Sequence, residues 1–216
     1  MKRLATFALF GLVSLSTSYA TTVTAAGGQV AAQSITYSGT TIATSSGSLN
    51  FGSTPNPLSG TYTESVVRDS TTGFLDFVYS VTDTTTGYNS TYPGILEGVS
   101  MASFTGFTTD IGYVAGTGTS PVPMSMGRTE DVVNFSWNGF NGSNSTPIDP
   151  GETIPTLVIK TDASYYTLGT LGATDGIGGN ATVYGPTSTP EPVSMSLLGG
   201  GLFIIGGLRL RRKATR

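Results

Sequence analysis

Apolar and polar residues alternate along much of this chain with a period of two, the spacing of a strand with one buried face. The cleanest run is 74–81, where Leu75, Phe77, Tyr79 and Val81 fall on one side and Asp76, Val78 and Ser80 on the other. Residues 62–68 precede it across Thr71-Thr72-Gly73. Two β-prone runs flanking a Gly-containing turn predict a hairpin. The alternation returns at Val133, Phe135 and Trp137, with Asn134 and Ser136 between them, until Asn138-Gly139 and Asn141-Gly142 break it. Residues 156–161 form a compact β-branched strand, and 165–168 and 181–184 are further candidates. Nearer the N-terminus, 35–37 and 49–51 are short strands in a Ser/Thr/Gly background, and Pro55-Asn56-Pro57 marks a turn or boundary. No window from 21 to 189 sustains an apolar helical period. Eight or nine short strands separated by turns predict an all-β domain, an antiparallel β-sandwich, with a barrel as the structural alternative.

The two ends follow different patterns. Lys2 and Arg3 precede an apolar run over 4–15, and Ser18-Tyr19-Ala20 supplies a small-x-small site. That order predicts a secretory signal peptide over 1–20, cut by signal peptidase after Ala20, with a second acceptable site at Ala26. An uncleaved anchor or a core helix is the alternative. At the other end, Pro190-Glu191-Pro192 is followed by an apolar run over 193–208 and the basic tail Arg209, Arg211, Arg212 and Lys213. As a helix, 193–208 would span about 24 Å against a hydrocarbon core of about 30 Å. Snorkelling arginines extend its reach, so a marginal transmembrane helix is feasible. Five glycines within it (199–201, 206 and 207) make it a weak permanent anchor. The positive-inside rule places both basic ends in the cytoplasm, and everything between them outside the inner membrane.

The order Pro190-Glu191-Pro192, Gly-interrupted apolar helix and arginine cluster resembles the PEP-CTERM sorting domain of Gram-negative bacteria, over residues 190–213. The resemblance implies that an exosortase, an integral-membrane protease-transpeptidase, recognises the segment and removes it. It also implies an association with exopolysaccharide or biofilm. Two prolines fix φ and keep the motif extended, the form a protease cleft binds. Residues 104–113 and 150–161 are similar to segments of PEP-CTERM ectodomains, a likeness that carries no activity. A plain C-terminal anchor with a chance Pro-Glu-Pro is the competing reading.

These patterns divide the chain into a signal peptide (1–20), an acidic Ser/Thr/Gly-rich ectodomain (21–185), a stem with the Pro-Glu-Pro motif (186–192), a transmembrane helix (193–208) and a cytoplasmic tail (209–216). Charge sharpens the division. The 216-residue chain has a formal net charge of −3, but seven of its ten cations sit at the ends. Only Arg68, Arg128 and Lys160 face twelve acids in the interior, a net −9. A domain so acidic has no footprint for nucleic acid. Cysteine and histidine are absent, which removes disulfides, thiolate chemistry and Ser-His-Asp catalysis.

Candidate chemistry in the ectodomain is sparse. Asp69, Asp76 and Asp83, the pair Glu130-Asp131, and Asp149 with Glu152 are oxygen ligands that could take calcium. None has an EF-hand spacing, and isolated acids on turns are more often caps. A carboxylate pair for glycoside hydrolysis depends on spatial separation that spacing does not reveal. Lys160 could activate a serine, but as a charge at a strand end it needs no special account. Trp137, Phe140, Tyr165, Tyr166 and Tyr184 could stack on sugars, although alternating aromatics are first of all core. Asn89-Ser90-Thr91 and Asn134-Phe135-Ser136 are acceptor triplets of a kind expected by chance in such a composition. The expectation is therefore a non-catalytic exported protein, without cofactor unless calcium. It is briefly anchored in the inner membrane and then delivered to the cell surface or matrix. The alternatives are a permanently anchored binding domain and, more remotely, a carbohydrate-active enzyme.

Overall fold

Alternation becomes two antiparallel sheets in the computed structural model, which describes residues 28–51, 58–86, 96–139, 144–174 and 178–188. The segment expected to be a signal peptide, with Ala20, the Pro190-Glu191-Pro192 segment expected to be a sorting motif, the apolar run and the basic tail lie outside the described residues, as do Phe140, Asn141-Gly142 and Asn89-Ser90-Thr91. Among the described residues there is no helix.

Five strands form the first sheet, in the order β2 (Gly39–Phe51), β3 (Leu58–Asp69), β4 (Leu75–Asp83), β9 (Leu157–Thr161) and β6 (Thr109–Tyr113). Six form the second, in the order β1 (Val30–Ala31), β7 (Ser125–Arg128), β8 (Val133–Ser136), β5 (Gly98–Ala102), β10 (Tyr165–Thr174) and β11 (Gly178–Thr187). The β3–β4 hairpin forms where the turn chemistry places it. Gly73 adopts φ 74°, and the Asp69 carboxylate accepts from the amides of Thr71 (2.8 Å) and Thr72 (2.7 Å).

Eleven strands are described, more than the alternation alone predicts. β1, β5, β6 and β7 are not among the expected strands, because each carries at most two large apolar residues. Residues 49–51 are the end of the thirteen-residue β2, not a separate strand. Residues 35–37 are not a strand at all. There the chain lies beside β6, where the Ile35 amide donates to the Tyr113 carbonyl at 2.8 Å and the Tyr113 amide to Gln33 at 3.1 Å. Gly112 makes this approach feasible, because a Cβ there would stand 2.8 Å from both Gln33 O and Ile35 Cγ2. β11 continues through Pro186 to Thr187, opposite Tyr166 and Tyr165, so the strand takes up the first two residues assigned to the stem. A proline is tolerated there because β11 is an edge strand.

One hydrophobic cluster joins the sheets. Leu75, Phe77, Tyr79 and Val81 of β4 meet Val99 and Met101 of β5, Val133 and Phe135 of β8 and Leu171 of β10. Phe77 sets its ring edge-on to Phe104 at 5.8 Å. Trp137 is fully buried and donates its indole N–H to the Pro121 carbonyl at 2.8 Å. β4 departs from the one-faced expectation because it is the central strand of its sheet. Its second face carries Val78, which packs with Val67, Val158 and Ile35 in a smaller cluster under the 33–35 segment.

β11 has a neighbouring strand on one side only, so its remaining backbone groups need other partners. Side chains of the facing sheet provide them. The Tyr62 hydroxyl donates to Thr182 O (2.8 Å), the Tyr79 hydroxyl to Tyr184 O (3.1 Å), and the Tyr184 amide donates to Glu64 Oε2 (2.8 Å). This clasp closes one side of the domain without adding a strand.

Candidate functional site

Register on the first sheet determines where its outer-face charges meet. Asp76 on β4 stands opposite Lys160 on β9, and Lys160 stands opposite Asp110 on β6. Positions directly opposite share a face, so the three side chains form an acid–lysine–acid row across adjacent strands. Asp69, at the end of β3, brings Oδ2 to 3.8 Å from Lys160 Nζ. Beside the row is a cleft of about 270 Å³ lined by Phe74, Thr108, Asp110, Lys160 and Asp162. Lys160 is therefore not the plain exposed strand-end charge that its sequence position suggests; it is 30% exposed and sits among three carboxylates.

The acids respond differently to their surroundings. Burial pushes Asp76 up to about 6, against the pull of Lys160, with Asp69 and Asp110 adding to the rise. Burial likewise raises Asp110, and Lys160 opposes it. Asp69 is held below the ordinary range, first by the Thr72 amide and then, against burial, by the Thr71 amide, the Thr72 hydroxyl and Lys160. Asp76 Oδ2 and Asp110 Oδ1 are buried and accept no hydrogen bond, which favours a proton there as pH falls. The row is a charge cluster spanning three strands, in which one cation faces three carboxylates and leaves a negative rim. Polyanions would be repelled from it.

The other acids of the sequence reading are scattered, and most cap turns. Asp83 Oδ1 accepts from the Thr85 amide at 2.8 Å. Asp131 Oδ1 accepts from Ser103 N, Thr105 N and Thr105 Oγ1, holding a turn in which Ser103 has φ 88°. Burial raises Asp131, but those donors outweigh it and keep the carboxyl below its ordinary range. Glu130 is exposed, and Glu152 Oε2 folds back to the Asp149 amide at 2.9 Å. Among the described residues, no three acids gather as a metal site. The described aromatics do not form one platform either. Trp137 is core, Tyr165 is 45% exposed, and Tyr166 and Tyr184 pair edge-on at 5.0 Å.

Two charged residues have roles that their sequence positions do not announce. Arg128 is buried on β7 and donates to the carbonyls of Phe104, Phe107 and Glu130 and to the Thr109 hydroxyl, tying the 104–107 loop to both sheets. Glu64 is 2% exposed at the sheet interface, and burial raises it to about 7, with the Tyr184 amide and the Tyr79 hydroxyl pulling the other way. Its Oε1 is buried and accepts no hydrogen bond. The signal for Glu64 was its parity: it falls between Tyr62 and Val66 on the inward side of β3.

Comparisons with protein-family models, with curated proteins and with solved structures return no match.

Proposed function

We propose that this chain is an exported surface or extracellular-matrix protein. Its antiparallel β-sandwich is delivered across the inner membrane, held briefly by the C-terminal apolar run, and sorted through Pro190-Glu191-Pro192. An exosortase-like membrane enzyme is the processing partner, and exopolysaccharide or biofilm is the setting. The protein itself is non-catalytic.

The observation that carries this reading is the order of features after the last strand. β11 ends at Thr187, and three residues later the sequence presents Pro-Glu-Pro, then the apolar run, then four cations within five residues. A cleavable motif so close to a folded edge suits release of an intact domain from its anchor. The net −9 interior and the acid row suit a soluble extracellular domain that does not adhere to anionic surfaces. A permanently anchored binding domain is the second reading, favoured by the same apolar run if no processing occurs.

The test is intact mass of the mature protein from its native host, in membrane and secreted fractions. Loss of everything beyond the Pro190-Glu191-Pro192 region, with or without an added mass, is the expected result. A mature mass that retains residues 209–216 overturns the sorting reading and leaves an anchored ectodomain.

A further inference from the structure

The outer face of the second sheet carries hydrogen-bonding side chains that the fold does not use. Cross-strand register aligns Asn134 on β8 with Ser100 on β5, Ser100 with Gly172 on β10, and Gly172 with Asn180 on β11. The next row aligns Ser136, Gly98 and Thr174. Asn134, Ser100, Ser136, Gly98 and Thr174 of these rows line a trough of about 210 Å³ together with Gln29, and Glu97 and Asn138 stand at its rim. Asn138 Nδ2 donates to Glu97 Oε2 at 3.2 Å, and its amide donates to Ser136 Oγ at 3.1 Å, so the rim is held in place. The side chains of Ser100, Asn134 and Thr174 engage no partner among the described residues.

Glycine keeps the floor open. A Cβ on Gly172 would stand 2.7 Å from Ser100 Oγ and 3.4 Å from Asn180 Oδ1, and one on Gly98 would stand 3.0 Å from Thr174 Oγ1. The second would narrow the trough, and the first would displace Ser100 at its edge. No lysine or arginine lines it, which disfavours phosphate and sulfate ligands. Its side chains are hydroxyls, carboxamides and one carboxylate, which offers little to a lipid or an apolar peptide. Polyols are the class that matches paired donors and acceptors of this kind. Within each row, positions on neighbouring strands repeat at about 4.8 Å, which offers a regular series of contacts to a ligand lying across the strands.

We propose that this trough binds an extended neutral polysaccharide, laid across β8, β5 and β10, with Ser100, Asn134 and Thr174 as its hydrogen-bonding contacts and Glu97 gripping hydroxyls at one end. The proposal rests on the surface-protein reading only for where such a glycan is met; binding itself requires no sorting event.

The test is saturation-transfer NMR on the full chain in a sugar-free detergent. The probes are cellohexaose, laminarihexaose, maltohexaose, oligogalacturonate and the native host's extracellular polysaccharide. Saturable binding of a neutral glycan is expected, and Ser100→Ala combined with Asn134→Ala weakens it about tenfold, as loss of two hydrogen bonds implies. Thr174→Trp, which fills the trough from an exposed position, abolishes it. Ser80→Ala on the other sheet leaves it unchanged. Unchanged thermal melts separate these effects from misfolding. Absence of binding to every probe, preference for oligogalacturonate, or binding indifferent to the trough variants overturns the proposal. Because intact mass reads sorting and NMR reads the trough, either can fail alone.

Discussion

Glu64 makes the domain's stability depend on pH in a direction opposite to ordinary acid denaturation. Its carboxyl is buried between the sheets, where ionisation costs hydration that the Tyr184 amide and the Tyr79 hydroxyl only partly replace. The folded protein therefore holds this proton up to about 7, whereas the unfolded chain releases it near 4.5. Between those values the unfolded state binds fewer protons, so stability falls as pH rises; it is fully present below about 4.5 and lost above about 7. The difference corresponds to about 3 kcal/mol. Glu64→Gln removes the titration but keeps the geometry, since a carboxamide oxygen still accepts from Tyr184 N and its NH₂ can face Tyr79. Near pH 5 the variant should match the wild type to within about 1 kcal/mol. At pH 8 it should be more stable by about 3 kcal/mol, or about 6–12 °C in Tm for a domain of this size. Thermal melts followed by near-ultraviolet circular dichroism, which reports the buried Trp137, would measure this at intervals from pH 4.5 to 8.5. Asp76 titrates in the same window, so the informative quantity is the difference between variant and wild type. A difference that stays constant with pH, or a variant less stable than wild type at pH 8, would refute the account.

The acid row makes a complementary prediction. Lys160→Met removes the one cation that lowers Asp76 and Asp110, so both carboxyls rise further. More stability should be lost at pH 8, about 1–3 kcal/mol, than at pH 4.5, because Asp76, raised to about 6, is protonated at the lower value and ionised at the higher; urea unfolding at the two pH values measures it. Gly112→Ala should push the 33–35 segment off β6 at a cost of about 1–3 kcal/mol, and faster hydrogen exchange at the Ile35 amide than in wild type is its signature.

How much was legible in the sequence varies with how local its cause is. The β3–β4 hairpin, the inward set of β4 and the strands β8 and β9 follow from alternation and turn chemistry, both properties of neighbouring residues. β5, β6 and β7 do not, because each holds a glycine and at most two large apolar residues, whereas β9 holds three and β8 with the adjoining Trp137 three. They form because strands elsewhere in the sheet supply their hydrogen bonds: β8 and β10 for β5, β9 for β6, and β1 and β8 for β7. Ile35 looked like a strand because it is β-branched and followed by Thr36 and Tyr37. It is instead a plug whose position depends on Gly112, nearly eighty residues away.

The same division runs through the chemistry. Residue types and their order along the chain determined that there is no thiol or imidazole chemistry, that the interior is acidic, and that most cations are segregated at the two ends beside apolar runs. Tertiary structure decided which side chains meet. Asp76 and Lys160 are eighty-four positions apart, and only the β4–β9 register makes them neighbours. Glu64 becomes a buried acid only because β11 lies across its tip, and Ser100, Asn134 and Thr174 become one surface only because β8, β5 and β10 are adjacent. Composition and periodicity record what each residue prefers locally, whereas charge pairing and binding depend on distances that non-local strand pairing creates.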